Sequence, residues 1–276
     1  MDYIEIKVSC DAPFRDILIA EMGEIDFDSF VETEVGFDAY VLEDQFSHPG
    51  LQQLFNNYRK QTKIWYELKK IPKVNWNEEW EKNYDPIQVG KDIYVRAIFH
   101  DPRPEFKYEI VINPKMSFGT GHHETTHQIL ALQLEVDFKD KKVLDIGSGT
   151  GILAIMAHKL GASEVSSTDI DDWCIENATE NFGLNEVKPK TVKQGVIKSL
   201  AFDESFDIVL ANINKNVLLE EMDEYARLTK RGGYLFLSGF YAHDEEDILE
   251  STSALGFEKL KSSAKREWTA VLLKKK

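Results

Sequence analysis

Apolar positions along the first part of the chain alternate and then regroup. Ile4, Ile6 and Val8 fall on every second residue, as in a half-buried strand. Phe14, Ile17, Leu18 and Met22 then recur at helical spacing, with Asp11 placed to cap the helix and Gly23 to stop it. Residues 29–35 and 39–42 read as two strands about a Gly36-Phe37-Asp38 turn. Pro49 opens a second helix carrying Leu51, Leu54, Phe55 and Tyr58, and Ile64 to Leu68 is a further strand. The pattern then loosens, because Pro86, Pro102, Pro104 and Pro114 interrupt short strands such as Ile93 to Ile98 and Tyr108 to Ile112. From Thr125 a strict rhythm sets in. A helix through Leu134 is followed by the Val143 strand, a helix from Ile152 to Leu160, a strand at Val165 to Thr168 and a helix around Trp173 to Phe182. A strand at Asp207 to Ala211, a helix from Val217 to Leu228, a strand at Tyr234 to Leu237 and a helix from His243 to Leu255 continue it. Strands near Phe257 to Leu260 and Thr269 to Leu273 end the pattern.

The first six elements come in the order β-α-β-β-α-β, a ferredoxin-like split motif, and predict a small α+β domain over residues 1–72. Residues 73–112 read as a connector and the entry to the next domain. Strict alternation over 113–276 predicts an α/β domain with a parallel, Rossmann-like sheet. A chain of 276 residues, 42% of them hydrophobic, has material for two cores. No run approaches the roughly 18 apolar residues of a membrane span, and the first residues lack the basic and apolar regions of a secretory signal, so a cytoplasmic, membrane-free protein is expected. Cys10 and Cys174 lie far apart without ligand spacing and read as reduced packing residues. Thirty-three basic against 48 acidic residues leave −15, with no cationic stripe to meet phosphates. That balance speaks against a nucleic-acid substrate and suits a basic partner, although acidity also simply keeps proteins soluble. Residues 1–72 carry 14 acidic and 7 basic side chains, so the small domain holds −7 of that charge.

Candidate chemistry begins where the Val143 to Ile146 strand ends in Gly147-Ser148-Gly149-Thr150-Gly151. Glycines there let backbone approach a ligand at the carboxyl edge of the sheet. A dinucleotide fingerprint needs a third glycine where Ile152 stands, so the pyrophosphate reading loses its basis. A G-x-G-x-G turn behind Asp145 instead resembles the first motif of class I methyltransferases, whose ligand carries a sulfonium and no phosphate; a purely structural turn is the alternative. Asp169 ends the next strand 22 residues beyond Gly147, close to the spacing at which an acid meets ribose hydroxyls. Asp171 and Asp172 read as helix caps. The strand through Ala211 delivers Asn212 to the same edge, where a polar group faces the transferred methyl. It resembles the Asn-Pro-Pro-Tyr element of amino methyltransferases without its prolines and aromatic, and an Asn that merely closes a turn is the competing reading. Phe118 to Thr126 reads as a loop closing over the cofactor, with Thr125 and Thr126 in the first turn of the next helix. His123 and His127 lack the HExxH order and a further ligand, so no metal is expected.

These motifs together carry a specific resemblance. Asn113 to Thr126, Val143 to Ala154, Asp169 to Asp171 and Ala211 to Ile213 are similar to the ribosomal protein L11 methyltransferases of bacteria. Trp76 to Trp80, Pro86 to Gly90, Leu237 to Gly239 and Glu267-Trp268 resemble the same family, and the small domain resembles its substrate-recognition module. The resemblance implies S-adenosyl-L-methionine as cofactor, with contacts at Thr126, Gly147, Asp169 and Asn212 beside the close approach at Gly149. It also implies methyl transfer to amino groups of ribosomal protein L11, the N-terminal amine and lysines, up to trimethylation. Asn212 is the expected catalytic residue, accepting an N–H from the attacking amine. Nucleic acid is not expected to bind directly, and a monomer is expected. An amino methyltransferase of RNA, DNA or another protein is the alternative.

Overall fold

The computed structural model describes residues 2–71, 84–115 and 117–276. The chain forms two compact units, Met1–Asn83 and Tyr84–Lys276. In the first, strands β1 (Tyr3–Ser9), β2 (Ser29–Thr33), β3 (Gly36–Leu42) and β4 (Trp65–Ile71) and helices α1 (Ala12–Gly23) and α2 (His48–Tyr58) follow the order β-α-β-β-α-β. The antiparallel sheet runs β2-β3-β1-β4. Its inner face, with Ile6, Val8, Phe37, Ala39 and Val41, packs on Leu18 and Met22 of α1 and on Leu51, Leu54 and Phe55 of α2. Each such fully buried side chain contributes roughly 1.5–3 kcal/mol. One detail differs from expectation: the hairpin turns at residues 34 and 35, and Gly36-Phe37-Asp38 belong to β3. A Cβ on Gly36 would sit 2.0 Å from the Val8 carbonyl oxygen, so this glycine serves close strand approach rather than the turn.

The second unit holds a seven-stranded sheet in the order β10-β9-β8-β11-β12-β14-β13. Its strands are β8 (Lys142–Ile146), β9 (Glu164–Asp169), β10 (Thr191–Gln194), β11 (Phe206–Asn212), β12 (Thr229–Tyr241), β13 (Phe257–Lys265) and β14 (Trp268–Lys275). β10 through β12 pair in parallel, while β14 enters antiparallel to β12 and forms a hairpin with β13. Helices α3 (Glu124–Gln133), α4 (Ile152–Lys159), α5 (Asp172–Leu184), α6 (Lys215–Leu228) and α7 (Glu245–Ala254) cover the two faces. Val143, Ile208 and Phe236 face one buried cluster and Leu144, Val209 and Leu235 the other, the alternation of a sheet buried on both sides. Sequence order along the sheet reverses between β8 and β11, which opens a crevice at their carboxyl ends.

Residues 84–112 belong to the second unit, which begins at Tyr84. β5 (Ile87–Val89), β6 (Ile93–Ala97) and β7 (Tyr108–Ile112) make a small sheet; Pro102 and Pro104 lie between β6 and β7, Pro86 just before β5 and Pro114 just after β7. Val89, Ile93, Val95, Ile110 and Ile112 join the core with Ile129, Ile152 and Phe182. The backbone of β7 is satisfied by side chains of the α5 end: Asn185 accepts from the Val111 N–H at 2.9 Å and returns a bond to its carbonyl at 2.6 Å. Asn181 accepts from the Asn113 N–H at 2.8 Å and donates to the Thr150 carbonyl at 2.9 Å. Trp76 and Trp80 lie outside the described residues. Among the described residues no helix is long and apolar enough to cross a membrane.

Candidate active site at the sheet crevice

The turn after β8 is shaped by positive φ angles at Gly147 (68°), Gly149 (53°) and Gly151 (78°), conformations that favour glycine. Gly147 and Ser148 both donate to the Thr168 carbonyl, at 2.8 and 3.0 Å. A Cβ at Gly149 would meet the Phe118 carbonyl oxygen at 2.1 Å, so the loop before α3 presses directly on the turn. Thr150 secures that contact, donating its N–H to the Phe118 carbonyl at 2.9 Å and its hydroxyl to the Gly119 carbonyl at 2.5 Å.

Asp169, 8% exposed at the tip of β9, is held by two backbone donors. Its Oδ2 accepts from the Gly149 N–H at 2.8 Å and its Oδ1 from the Asp171 N–H at 3.1 Å. Each carboxylate oxygen has a lone pair to spare for a ligand hydroxyl. Asp145 lies deeper, fully buried, with Oδ2 accepting from the Ala154 N–H at 3.2 Å and Oδ1 without a partner. Burial pushes its carboxyl up to about 7, with the Asp169 charge adding to the rise.

At the end of β11, Asn212 donates through Nδ2 to the Thr126 hydroxyl at 3.3 Å, while its Oδ1 has no partner. Asn214 caps α6 by accepting from the Val217 N–H at 3.2 Å. His123 likewise caps α3, its Nδ1 lying 3.4 Å from the Thr125 nitrogen and 2.8 Å from the Thr125 hydroxyl.

A cavity of about 670 Å³ opens here, within the range of small-molecule sites. Gly147, Gly149, Asp169 and Asn212 line it together; Thr126 does not, being fully buried behind Asn212, while its neighbours His123 and Thr125 do. Sequence reasoning missed the apolar slot formed by Ile170, Trp173, Val196 and Ile197, and the aromatic wall of Phe118 and Trp268. Val196 and Ile197 follow an edge strand with a single apolar residue, which leaves no periodic signal. Trp173 and Val196 are about half exposed.

The cavity matches a ligand with an apolar ring system, a diol and a polar tail: a slot, a carboxylate with open lone pairs, and a glycine turn whose backbone lines the opening. Fold and site define a class I S-adenosylmethionine-dependent methyltransferase. Within that class the relationship is specific, for residues 15–276 match the family model described as ribosomal protein L11 methyltransferase (PrmA). The ribosomal protein L11 methyltransferase of Phocaeicola vulgatus is 42% identical over 276 residues, 98% of each chain. That of Porphyromonas gingivalis is 41% identical over 270 residues, covering 93% of this chain and 89% of the relative. The crystal structure of the ribosomal protein L11 methylase of Lactobacillus delbrueckii subsp. bulgaricus aligns with a TM-score of 0.65 at 28% identity, over 70% of this chain and all of the other. The chain belongs to the ribosomal protein L11 methyltransferase family.

Proposed function

We propose that this enzyme methylates amino nitrogens of ribosomal protein L11, the N-terminal amine and lysine side chains up to trimethylation, acting as a cytoplasmic monomer. The observation that carries the reading is the Asn212 amide: its Nδ2 is committed to Thr126, and its Oδ1 is an acceptor without a partner beside the glycine turn. In this reading Asp169 accepts the ribose hydroxyls, Gly147 and Gly149 bring backbone against the methionine part, and the Ile170, Trp173, Val196 and Ile197 slot takes the adenine. Thr126 positions Asn212 rather than touching the cofactor. The cofactor supplies an electrophilic methyl on a sulfonium.

A lysine amine must be neutral to attack, and with an ordinary pKa of about 10.4 only about one in a thousand is neutral near pH 7.4. Asn212 Oδ1 accepts an N–H of the neutral amine and aims its lone pair; the proton leaves to solvent. Catalysis is then chiefly positioning, which supplies several kcal/mol when the reacting atoms are held in line. The small unit, with its excess of acids, suits a basic protein partner. The test incubates the enzyme with methyl-labelled cofactor, L11 and ribosomal RNA. Label on L11 amines supports the reading; label confined to RNA, or on no substrate, refutes it.

A further inference from the structure

Phe118, His123, Tyr241 and Trp268 have no part in the mechanism above. Trp268 opens β14, two strands from β11, and pairs with Tyr241 where Asn212 pairs with Ser238, so it lies roughly 10 Å across the sheet and roughly 10 Å further along it. The first turn of α3 spans that gap. Thr126 is bonded to Asn212, and three residues earlier the His123 ring packs edge-on against Trp268 with centroids 4.7 Å apart. Gln128 adds a bond from its side chain to the Trp268 carbonyl at 3.2 Å. Phe118 lies 5.2 Å from His123, and Tyr241 covers Trp268 at 4.3 Å. Phe118, His123 and Trp268 line the same cavity as Asn212. These rings leave apolar surface open, with Phe118 54% and Tyr241 38% exposed. Among the described residues, the four Lys or Arg cations seated on rings use Tyr94, Tyr108, Phe202 and Tyr234 instead.

We propose that Trp268, with Phe118 and His123, forms the acceptor-side subsite that holds the methylated ammonium of the substrate between successive transfers. The inference rests on the reading that the acceptor is an amine. Each transfer forms an N–C bond and breaks an S–C bond, with sulfur keeping the electron pair; the nitrogen gives its remaining N–H proton to water before the next. Along this series hydrogen bonding to Asn212 weakens, because N–H groups are replaced by methyls, until the quaternary product has none. Ring faces work in the opposite sense: they attract a bulky, weakly hydrated ammonium through the quadrupole. An amide acceptor and an aromatic wall within one helical turn of each other therefore cover both ends of the series.

The test is calorimetry on the enzyme saturated with S-adenosylhomocysteine, so that the cofactor side is filled. Two probes are compared: N-acetyl-Nε-trimethyllysine amide and its neutral tert-butyl isostere, with carbon in place of the cationic nitrogen. The wild type is expected to prefer the cation by roughly tenfold. Trp268→Leu should erase the preference and Trp268→Phe should keep part of it, and L11 from Trp268→Leu should accumulate mono- and dimethyl forms by mass spectrometry. Equal binding of the two probes by the wild type, or an undiminished preference in Trp268→Leu, overturns the proposal. Should Trp268→Leu fail to fold, Phe118→Leu removes an exposed ring, and a preference unchanged in that variant overturns it equally. Because the preference is read without any transfer, failure to methylate L11 refutes the proposed function and not this measurement.

Discussion

Replacing Asp169 by Asn keeps the shape of the side chain and removes its charge, so it isolates the part played by the carboxylate. Two effects follow from the geometry. Both oxygens accept backbone N–H groups, from Gly149 and from Asp171, and the amide of Asn must turn an NH2 toward one of them. A buried donor facing a donor costs about 1–3 kcal/mol of stability. The second effect falls on the cofactor, whose ribose hydroxyls lose an ionised acceptor. Hydrogen bonds to charged groups contribute about 1.5–3 kcal/mol, so affinity should fall roughly ten- to hundredfold. The assay is calorimetric titration of wild type and variant with S-adenosylmethionine and with its 2′,3′-dideoxyribose analogue. If the carboxylate binds the diol, the analogue should bind the wild type weakly and the variant hardly worse, so that the two losses overlap in a double-mutant cycle. Losses that simply add would refute the ribose assignment, and a melting curve measured alongside separates the stability effect from the binding effect.

Asn212→Ala should cut kcat by more than tenfold while changing cofactor affinity little, and Thr126→Val, which frees the Asn212 amide, should cut kcat several-fold; cofactor affinity falling in step with kcat would show Asn212 to be a binding residue instead. Gly149→Ala demands a left-handed conformation of alanine, worth about 1–2 kcal/mol, and drives a Cβ into the Phe118 carbonyl. With loss of the Thr150 bond, the melting temperature should fall by about 5–10 °C and cofactor affinity should weaken; a variant indistinguishable from wild type in both refutes the contact. Asp145 should make the fold less stable as pH rises. Its folded carboxyl keeps a proton to about 7 while the unfolded chain, at 3.8, has already released it. Stability therefore declines between about pH 4 and 7, by up to about 4 kcal/mol at 1.36 kcal/mol per pH unit. Asp145→Asn should flatten that part of the profile, and an unchanged slope in urea melts would contradict the burial argument.

The two ends of this structure were unequally legible from its residues. Alternation at Ile4, Ile6 and Val8 and helical spacing in α1 and α2 are local signals, and the first six elements follow their order. Gly36 misled because a glycine between two strand-like runs reads as a turn, whereas its missing Cβ serves a neighbour from a different part of the chain. The strands of residues 84–112 could be read but not what they pack on, since β6 and β7 pair in parallel across an irregular connection and join the core only where they meet α3 and α4. Gly147, Gly149, Asp169 and Asn212 come together at one edge of the sheet because each ends or closely follows a hydrophobic strand, a place the alternation of the chain makes visible. Thr126 shows the limit of the approach: its buried place behind Asn212 depends on how α3 seats against β11. The aromatic wall joins Phe118 to Trp268, residues far apart along the chain, and no local pattern pairs them.

The two bonds from Thr150 to the loop before α3 also act as a latch with a definite strength. At about 0.5–1.5 kcal/mol net for each hydrogen bond, releasing both costs about 1–3 kcal/mol, so the loop would stand open between roughly one time in 160 and one in six. Its exchange belongs to the microsecond to millisecond range. Relaxation dispersion at the Thr150 amide should detect that opening, and an amide silent in dispersion at all fields would mean that the cofactor passes by another route.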